Sequence, residues 1–287
     1  MKKIDNILLI PNTSKNIREA QISEITDRLR SIGCTVTMFS DTDDSAGCAE
    51  IYCHGTTGAS DSCVAVVLGG DGSIIDAAHR LLHTDIPIIG INFGHVGFLA
   101  EIELGELSML DRLVSGEYTI DERMMLDADV ISADGSVRES HTVLNDIVLS
   151  NGPVARLLTF DVLCGEIKMQ TCRSDGIIVS TPTGSTAYSL SAGGPVLEPS
   201  IDCFCLAPIC PHTLSSRPVI LGGDAVVRLT NFVSNNSSVF MTADGRDVVA
   251  IYSRDTIVVR RSVHKTRLIR LKDNSFVRIL QAKLSEK

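Results

Sequence analysis

The chain reads Val64-Ala65-Val66-Val67-Leu68-Gly69-Gly70-Asp71-Gly72-Ser73, an apolar run that ends in three glycines and one carboxylate. This pattern predicts a strand, a tight loop and then a helix that begins near Ser73. Glycines let a ligand approach the backbone closely, and the N–H groups at a helix start favour a phosphate. Because Asp71 is the one side chain in the loop core that can accept a proton, the loop suits a phosphate and a hydroxyl that react together. A tight turn with a capping aspartate is the structural alternative, and this stretch alone leaves both open.

Strand and helix patterns alternate around this loop within the first 120 residues. Apolar runs predict strands at residues 4–10, 35–39, 63–68 and 87–91, and apolar spacings of three and four predict a helix that ends at Gly33 and another at residues 73–83. Residues 41–61 are polar and are expected to connect two strands. Near-continuous apolar strands indicate burial on both faces, which is typical of a parallel sheet covered by helices, with ligands at the carboxyl ends of its strands.

From about residue 125 the pattern changes to short β-branched runs separated by turns. It predicts a β-rich domain with strands at residues 128–131, 143–149, 157–163, 176–180, 219–221, 225–229, 248–252, 256–259 and 267–271. Asp134-Gly135 and Asp244-Gly245 are predicted turns. Residues 275–284 have helical apolar spacing and need a surface to pack on, for which the first domain is expected.

Composition excludes several classes of partner. The net charge is −9, and no block rich in lysine or arginine is present, which argues against a nucleic acid or an anionic membrane as the partner. No stretch approaches the roughly 18 apolar residues that a membrane span requires. We therefore expect a soluble protein with 44% hydrophobic residues to fill its core.

The nine cysteines are an odd number at irregular spacings, and no secretory signal precedes them. They are therefore expected to be reduced, mostly buried thiols of a cytoplasmic protein, without disulfides. The cluster of Cys203, Cys205, Cys210 and His212 fits no common zinc spacing and is interleaved with apolar residues, so core thiols are favoured over a metal site.

Four further segments carry more glycine or polar residues than a scaffold needs. They are residues 90–99, with three glycines and two aromatic residues, residues 144–147, residues 173–176 and residues 180–195. Each has a structural alternative: the partners of a strand end, a surface ion pair, or a capped turn. Together they favour a ligand site, because polar groups within an apolar strand are costly unless they meet a partner.

With these segments in this order, the chain resembles the bacterial NAD kinases over nearly its full length. The run Ser180-Thr181-Pro182-Thr183-Gly184-Ser185-Thr186-Ala187-Tyr188 is that family's most specific motif, whereas Gly-Gly-Asp-Gly is shared with diacylglycerol kinases, sphingosine kinases and 6-phosphofructokinases. The resemblance implies an α/β plus all-β fold: a Rossmann-like parallel-sheet domain over residues 1–124 and a β-sandwich domain over residues 125–271. It also implies that the helix in residues 272–287 packs back on the first domain.

The resemblance implies transfer of the γ-phosphoryl of ATP to the 2′-hydroxyl of the adenosine ribose of NAD. It implies Mg²⁺, or another divalent cation, that is carried mainly by ATP, with no metal site in the protein. The partners it implies are NAD, ATP and further copies of the chain in a dimer or tetramer. A lipid kinase of the same superfamily and a non-catalytic NAD(P) sensor are the alternative functions.

The resemblance also assigns roles to residues. Asp71 resembles the family's proton acceptor, Gly72 lies beside it in the nucleotide contact, Phe98 falls where the adenine pocket is lined, and Asn145 and Asp146 resemble the pair that binds the NAD riboses. The other positions that it places around the dinucleotide are Arg156, Arg173, Asp175, Thr186, Ala187, Tyr188, Ser189, Leu190, Ser191 and Arg246.

The chain departs from the family pattern at three positions. Ser73 stands where threonine is usual, which keeps the hydroxyl. Asp146 stands where glutamate is usual, so a hydroxyl that it holds must sit closer or be bridged by water. Arg246 takes a position often occupied by glutamine, where it either pairs with a phosphate or faces solvent with Asp247.

Overall fold

A computed structural model describes residues 3–12, 17–39, 62–94, 97–152, 157–213, 216–234, 238–273 and 276–285. The chain divides into two compact units. Unit 1 comprises Met1–Glu122 and Thr266–Lys287, and unit 2 comprises Arg123–Lys265. Two strands, β6 and β17, begin in one unit and continue in the other.

Unit 1 alternates strands and helices. Its elements are β1 (Asn6–Pro11), α1 (Glu19–Ser31), β2 (Thr35–Met38), β3 (Cys63–Leu68), α2 (Asp71–Arg80), β4 (Ile88–Asn92), β5 (Ile102–Glu103), a 3-10 helix (Leu104–Leu110), α3 (Asp111–Ser115), the start of β6 (Thr119–Ile131), the end of β17 (Thr256–Arg270) and α5 (Phe276–Ser285).

The sheet of unit 1 is parallel. Strand β1 pairs with β2 and β3, β3 pairs with β4, and β4 pairs with β5 and, through Ile88 and Leu268, with β17. All six residues of β3 and all five of β4 are buried, as the apolar runs predict. Both strands end at the same edge, so the loops after Leu68 and Asn92 leave the sheet side by side.

Unit 2 is almost entirely β. Its elements are the rest of β6, β7 (Val137–Val143), β8 (Asp146–Asn151), β9 (Leu158–Cys164), β10 (Ile167–Ser174), β11 (Gly176–Ser180), a 3-10 turn (Gly184–Thr186), α4 (Tyr188–Ser191), β12 (Cys203–Ile209), β13 (Val219–Gly222), β14 (Val227–Ser234), β15 (Val239–Ala243), β16 (Asp247–Ile251) and the start of β17.

Two layers of antiparallel strands enclose the core of unit 2. One sheet has the order β13-β12-β11-β8-β15-β16, and the other contains β10-β9-β14-β17 together with β6 and β7. Apolar side chains of both sheets join in one cluster, among them Leu149, Phe204, Phe160 and Leu229. This is the sandwich that the resemblance implied, and the first unit has the mainly parallel sheet that it also implied.

Several boundaries differ from the sequence-based predictions. Helix α2 begins at Asp71 and ends at Arg80, rather than at residues 73 and 83, because an aspartate in the first turn is stabilised by the helix dipole. Residues 143–149 are not one strand: β7 ends at Val143 and β8 begins at Asp146. The runs at 256–259 and 267–271 are parts of the single strand β17, whose polar middle hid its continuity.

Five strands, β5, β7, β10, β12 and β15, were not predicted. The cysteine prediction holds for Cys203 and Cys205, which are buried in β12, but not for Cys210, which is exposed. It is also wrong at Cys63, which is disulfide-bonded. Among the described residues, no helix is long and apolar enough to cross a bilayer.

Candidate active site

The loop after β3 is shaped by its glycines. A Cβ on Gly69 would lie 2.1 Å from Ser73 Oγ, so no larger residue fits there without moving the first turn of α2. Ser73 is buried, and its hydroxyl accepts a hydrogen bond from Asn12 Nδ2 at 2.6 Å. Gly72 is exposed, with open space around it. The loop therefore presents bare backbone at the start of a ten-residue helix.

Asp71 is held in place by the segment that follows β4. Its Oδ2 accepts the Phe98 N–H at 2.7 Å, and its Oδ1 accepts the N–H groups of Leu99 at 3.0 Å and Ala100 at 3.4 Å. A Cβ on Gly97 would lie 1.9 Å from Asp71 Oδ1, so only glycine permits this approach. The orientation of the carboxylate is thus fixed by three backbone donors that the sequence did not reveal.

The same segment is anchored on its other side by Arg270. The Arg270 guanidinium donates to the Leu99 carbonyl and to Glu101 Oε2, both at 3.1 Å, and to Asp121 Oδ2 at 3.0 Å. Glu101 also accepts the N–H groups of Leu271 and Lys272, each at 2.8 Å. Residues 98–101 therefore lie between Asp71 and the chain that follows β17, all within unit 1.

Phe98 is half-buried, and its backbone rather than its ring is what contacts Asp71. Phe98 does not line the adjoining cavity of unit 1. The residues that line this cavity are Asn92, Gly97, Ala100, Glu101, Ile102, Glu103, Lys272 and Ile279. The predicted role of Phe98 in an adenine pocket stays a prediction.

In unit 2, residues 144–146 form a turn between β7 and β8, which we call the 144–146 turn. The Asp244 carboxylate accepts all three of its N–H groups, from Leu144 at 2.8 Å, Asn145 at 2.8 Å and Asp146 at 2.9 Å. The Asp244 N–H in turn donates to the Asp146 carbonyl at 2.9 Å. Four hydrogen bonds thus join one residue to this turn.

The hydroxyl-rich run at 180–188 contacts the other side of the turn. Thr181 donates its N–H to the Asn145 carbonyl at 2.9 Å and its hydroxyl to the Leu144 carbonyl at 2.6 Å. A Cβ on Gly184 would lie 2.1 Å from the Asn145 carbonyl oxygen, which explains the glycine. Part of this hydroxyl-rich run is therefore structural: it fixes the backbone that carries Asn145 and Asp146.

Asp146 is a buried acid, with 6% of its surface exposed. Burial, and secondly the charge of Asp244, raise the pKa of Asp146 from 3.8 to about 7. Its carboxylate has no hydrogen-bond partner among the residues that the structure describes. A buried carboxyl without a partner suits a ligand that brings one, such as a sugar hydroxyl.

The remaining predicted residues are distributed over unit 2. Ser189 is fully buried, whereas Tyr188 is 47% exposed and Leu190 39% exposed on the short helix α4. Thr186 donates its hydroxyl to the Thr183 carbonyl at 3.2 Å. Ala187 precedes α4, and Ser191 ends it as an exposed residue.

The predicted basic residues show no common site. Arg173 is exposed at the end of β10, Asp175 follows it half-buried, and no ion pair joins them in the described part of the chain. Arg246 is exposed in the turn after Asp244. Arg156 lies outside the described residues. Within the described ranges, no group of three or more His, Cys, Asp or Glu side chains could hold a metal ion.

The predicted site residues did not include Asp244, Thr181, Gly184 or Gly97, although the last three lie in segments that were predicted to form a ligand site. Asp244 and Gly245 were predicted to form a turn, and they do, with φ of +48° and +66°. The signal that could have been used is the aspartate itself, because an acid in a left-handed turn position often binds nearby backbone N–H groups.

Comparison with known proteins points to one family. The family described as ATP-NAD kinase N-terminal domain matches residues 7–118, and the ATP-NAD kinase C-terminal domain matches residues 144–271. The chain is 39% identical to the NAD kinase of Symbiobacterium thermophilum over 278 residues, which cover 96% of this chain and 98% of that protein. It is 42% identical to the NAD kinase of Citrifermentans bemidjiense over 227 residues, 79% of this chain and 78% of that one.

Solved structures show the same fold. Yeast NADH kinase in complex with NADH superposes with a TM-score of 0.83 at 22% identity, over 100% of this chain and 89% of that one. An NAD kinase from Archaeoglobus fulgidus in complex with ATP gives a TM-score of 0.73 at 24% identity, over 97% and 98%. With both family domains matched in order and a relative aligned from end to end, this chain belongs to the NAD kinase family.

Proposed function

We propose that this chain transfers the γ-phosphoryl of ATP to the 2′-hydroxyl of the adenosine ribose of NAD, with Asp71 as the proton acceptor. The observation that carries this role is the fixed carboxylate at the start of α2, beside a glycine loop that leaves its backbone bare. Phosphoryl transfer needs positioning and neutralised charge more than covalent chemistry from the protein. A carboxylate held by three backbone donors is such a positioned group.

Asp71 takes the proton as the ribose oxygen attacks phosphorus. Its Oδ1 already accepts two N–H groups and its Oδ2 accepts one, so Oδ2 keeps a lone pair free for the hydroxyl. The backbone of residues 69–72 faces the phosphates, because no side chain larger than hydrogen fits at Gly69. The positive end of α2 favours the negative charge that accumulates there.

Asn145 and Asp146 are proposed to bind the NAD riboses. Their backbone is fully hydrogen-bonded on both sides, whereas the Asp146 carboxylate has no partner among the described residues. Arg173, Asp175, residues 186–191 and Arg246 are proposed as further dinucleotide contacts on the strength of the family resemblance. The exposed Tyr188 ring offers a face for stacking against a planar base.

The cation fits the nucleotide better than a cage in the protein. In residues 69–72 the only carboxylate is Asp71, and backbone N–H groups already hold both of its oxygens. Mg²⁺ prefers phosphate oxygens, waters and one or two carboxylates, and when bound it neutralises charge on the transferring group. The cation would therefore be carried mainly by the phosphates of ATP.

We also propose that the functional domains are residues 1–124 with 272–287, and residues 125–271, in a cytoplasmic homo-oligomer. Support for the boundaries comes from the two compact units, whose limits lie nearby. The oligomer rests on the family resemblance alone, and size-exclusion chromatography with light scattering measures it.

The deciding experiment identifies the product. Purified protein is incubated with ATP, Mg²⁺ and either NAD, NADH or diacylglycerol vesicles, and products are separated and weighed by mass spectrometry. We expect NAD to gain one phosphoryl group and to become a substrate for an NADP-specific dehydrogenase, which reports the 2′ position. Phosphorylated lipid would establish the rival lipid kinase, and NAD binding without ATP consumption would establish the sensor.

A further inference from the structure

The 144–146 turn has all six of its backbone polar groups satisfied, and four of these six hydrogen bonds are to Asp244. The three N–H groups donate to the Asp244 carboxylate at 2.8–2.9 Å, and the Asp146 carbonyl accepts the Asp244 N–H at 2.9 Å. The other two carbonyls accept the N–H and the hydroxyl of Thr181. A turn of three residues with no spare backbone group has little freedom to shift.

The side chains of the turn contrast with its backbone. The Asp146 carboxylate and the Asn145 amide make no hydrogen bond within the part of the chain that the structure describes. Asp146 is nevertheless buried, and Asn145 is half-buried. The backbone groups of the turn are thus used in hydrogen bonds that support it, whereas its two polar side chains remain available to a ligand.

We propose that Asp244 is a positioning residue for the dinucleotide: it fixes Asn145 and Asp146 so that their side chains meet the ribose hydroxyls without rearrangement. This rests on the proposed function, because it takes those two residues as the ribose contacts. Asp244 itself does not touch the substrate in this account. Its carboxylate faces the backbone of the turn.

The local backbone supports this assignment. Asp244 has φ of +48°, a left-handed conformation that non-glycine residues adopt at a cost. Asn adopts that conformation as readily as Asp, but only the carboxylate offers two acceptor oxygens. A carboxylate that receives three backbone N–H groups is a stronger anchor than a neutral amide. The strained turn and the charge are therefore explained together by the need to hold three donors.

The test compares Asp244→Asn with Asp134→Asn. Asp134 is the matched control, because it also begins an Asp-Gly turn of unit 2 and also accepts a backbone N–H at 2.9 Å, but that N–H belongs to Ser136 in its own turn and not to the 144–146 turn. Asparagine has one acceptor oxygen, so Asp244→Asn turns an N–H donor toward the donors of the turn. Steady-state kinetics then give the KM for NAD, the KM for ATP and kcat.

For Asp244→Asn we expect the KM for NAD to rise by about tenfold or more, while the KM for ATP changes by less than about twofold. A purely structural role would lower the folded fraction and hence apparent kcat, and would leave both KM values alone. Asp134→Asn should match the wild type in all three constants. An unchanged KM for NAD in a folded Asp244→Asn protein overturns the inference.

Thr181→Val is the second variant, in case Asp244→Asn does not fold. It removes the hydroxyl that holds the Leu144 carbonyl from the opposite side, and it keeps the shape. The same selective rise in the KM for NAD is expected, and a KM for NAD equal to that of the wild type contradicts the inference. If the wild-type protein itself does not phosphorylate NAD, the proposed function fails first, so the two failures are distinguishable.

Discussion

Arg270 and Glu101 form a buried ion pair at 3.1 Å, with 12% and 2% of their side chains exposed. The same guanidinium also holds the Leu99 carbonyl, and the Leu99 N–H donates to Asp71. The proposed catalytic carboxylate is therefore two hydrogen bonds away from an arginine near the end of β17. We therefore expect loss of this ion pair to shift the Leu99 backbone and, with it, the Asp71 carboxylate.

In Arg270→Met the Glu101 carboxylate stays buried but loses its arginine partner. We expect the free energy of unfolding to fall by about 3 kcal/mol, because removing one member of a buried pair strands the other charge. The measurement is urea unfolding followed by circular dichroism. Arg28→Met is the control in the same unit, because Arg28 pairs with Asp111 at the surface, with 35% and 55% of the side chains exposed. That variant should lose less than about 1 kcal/mol, and an equal loss in both proteins contradicts the prediction.

Gly97→Ala tests whether the position of the Asp71 carboxylate matters for turnover. Its Cβ would lie 1.9 Å from Asp71 Oδ1, so the carboxylate must move. We expect kcat to fall by about a hundredfold, since a misplacement of about 1 Å can cost that much. Gly94→Ala is the control from the same segment, where an added Cβ meets nothing within 4 Å. Equal turnover by the two variants would show that Asp71 does not need this position.

Asp71→Asn tests the proton acceptor. An amide accepts no proton at neutral pH, and general-base catalysis is worth about a hundred- to ten-thousandfold, so kcat should fall within that range. The amide nitrogen also faces backbone donors, so a loss of stability is expected as well. NAD binding, measured by calorimetry without ATP, should be retained. Turnover equal to the wild type in a coupled NADP assay would refute the assignment.

Asp146 makes stability depend on pH in an identifiable direction. Burial and the charge of Asp244 raise its pKa from 3.8 to about 7, so between these values the folded protein binds a proton that the unfolded chain has released. Stability therefore falls as pH rises from about 4 to about 7, by at most about 1.4 kcal/mol for each pH unit, and levels off above.

Urea unfolding of the wild type and Asp146→Asn at several pH values isolates this contribution, because all other groups titrate in both proteins. The wild type should lose stability relative to the variant as pH rises toward 7, and parallel curves would count against a raised pKa. If the ionised form accepts the ribose hydroxyl, kcat/KM for NAD should rise over the same pH range. In Asp244→Asn the midpoint of that rise should move to lower pH, because one of the two causes is removed.

Gly184→Ala tests the contact between the 180–188 run and the 144–146 turn. The new Cβ would lie 2.1 Å from the Asn145 carbonyl oxygen and 2.8 Å from its Cα, and backbone atoms cannot yield as a flexible side chain does. We expect a loss of about 1–3 kcal/mol of unfolding free energy and weaker NAD binding. Gly222→Ala in β13, with nothing within 4 Å, should cost little. Thermal melts and calorimetry measure both effects.

The sequence predicted the elements whose burial pattern is simple. Strands β3 and β4 are apolar throughout and were found, as was the glycine loop between β3 and α2. Strands β7 and β10 were missed because charged and polar residues interrupt any β-branched run in them, as in the segment that contains Arg138 and Glu139. Strand β12 was missed because its cysteines and Pro208 do not resemble a β-branched run.

The sequence predicted the side chains proposed to contact the ligands, but not the groups that hold these side chains in place. Asp71, Asn145 and Asp146 could be singled out because an acid or amide in an apolar or glycine-rich context is unusual. The donors at Phe98 and Leu99, and the carboxylate of Asp244, lie 27, 28 and 98–100 residues from the groups they bind. Such pairings depend on strand order and register, which a single sequence does not specify.

Unit 1 is built from two separated stretches of chain, and Leu271 and Lys272 supply donors to its buried Glu101. During synthesis on the ribosome, the contiguous unit 2 is complete before these residues emerge, although most of unit 1 was translated earlier. We therefore expect unit 2 to acquire its native structure first. The N-terminal stretch of unit 1 can complete its fold only after residues 266–287 have been synthesised. A nascent chain stalled when Lys265 has just emerged from the ribosome should accordingly protect unit 2 from protease and leave the amino-terminal portion sensitive.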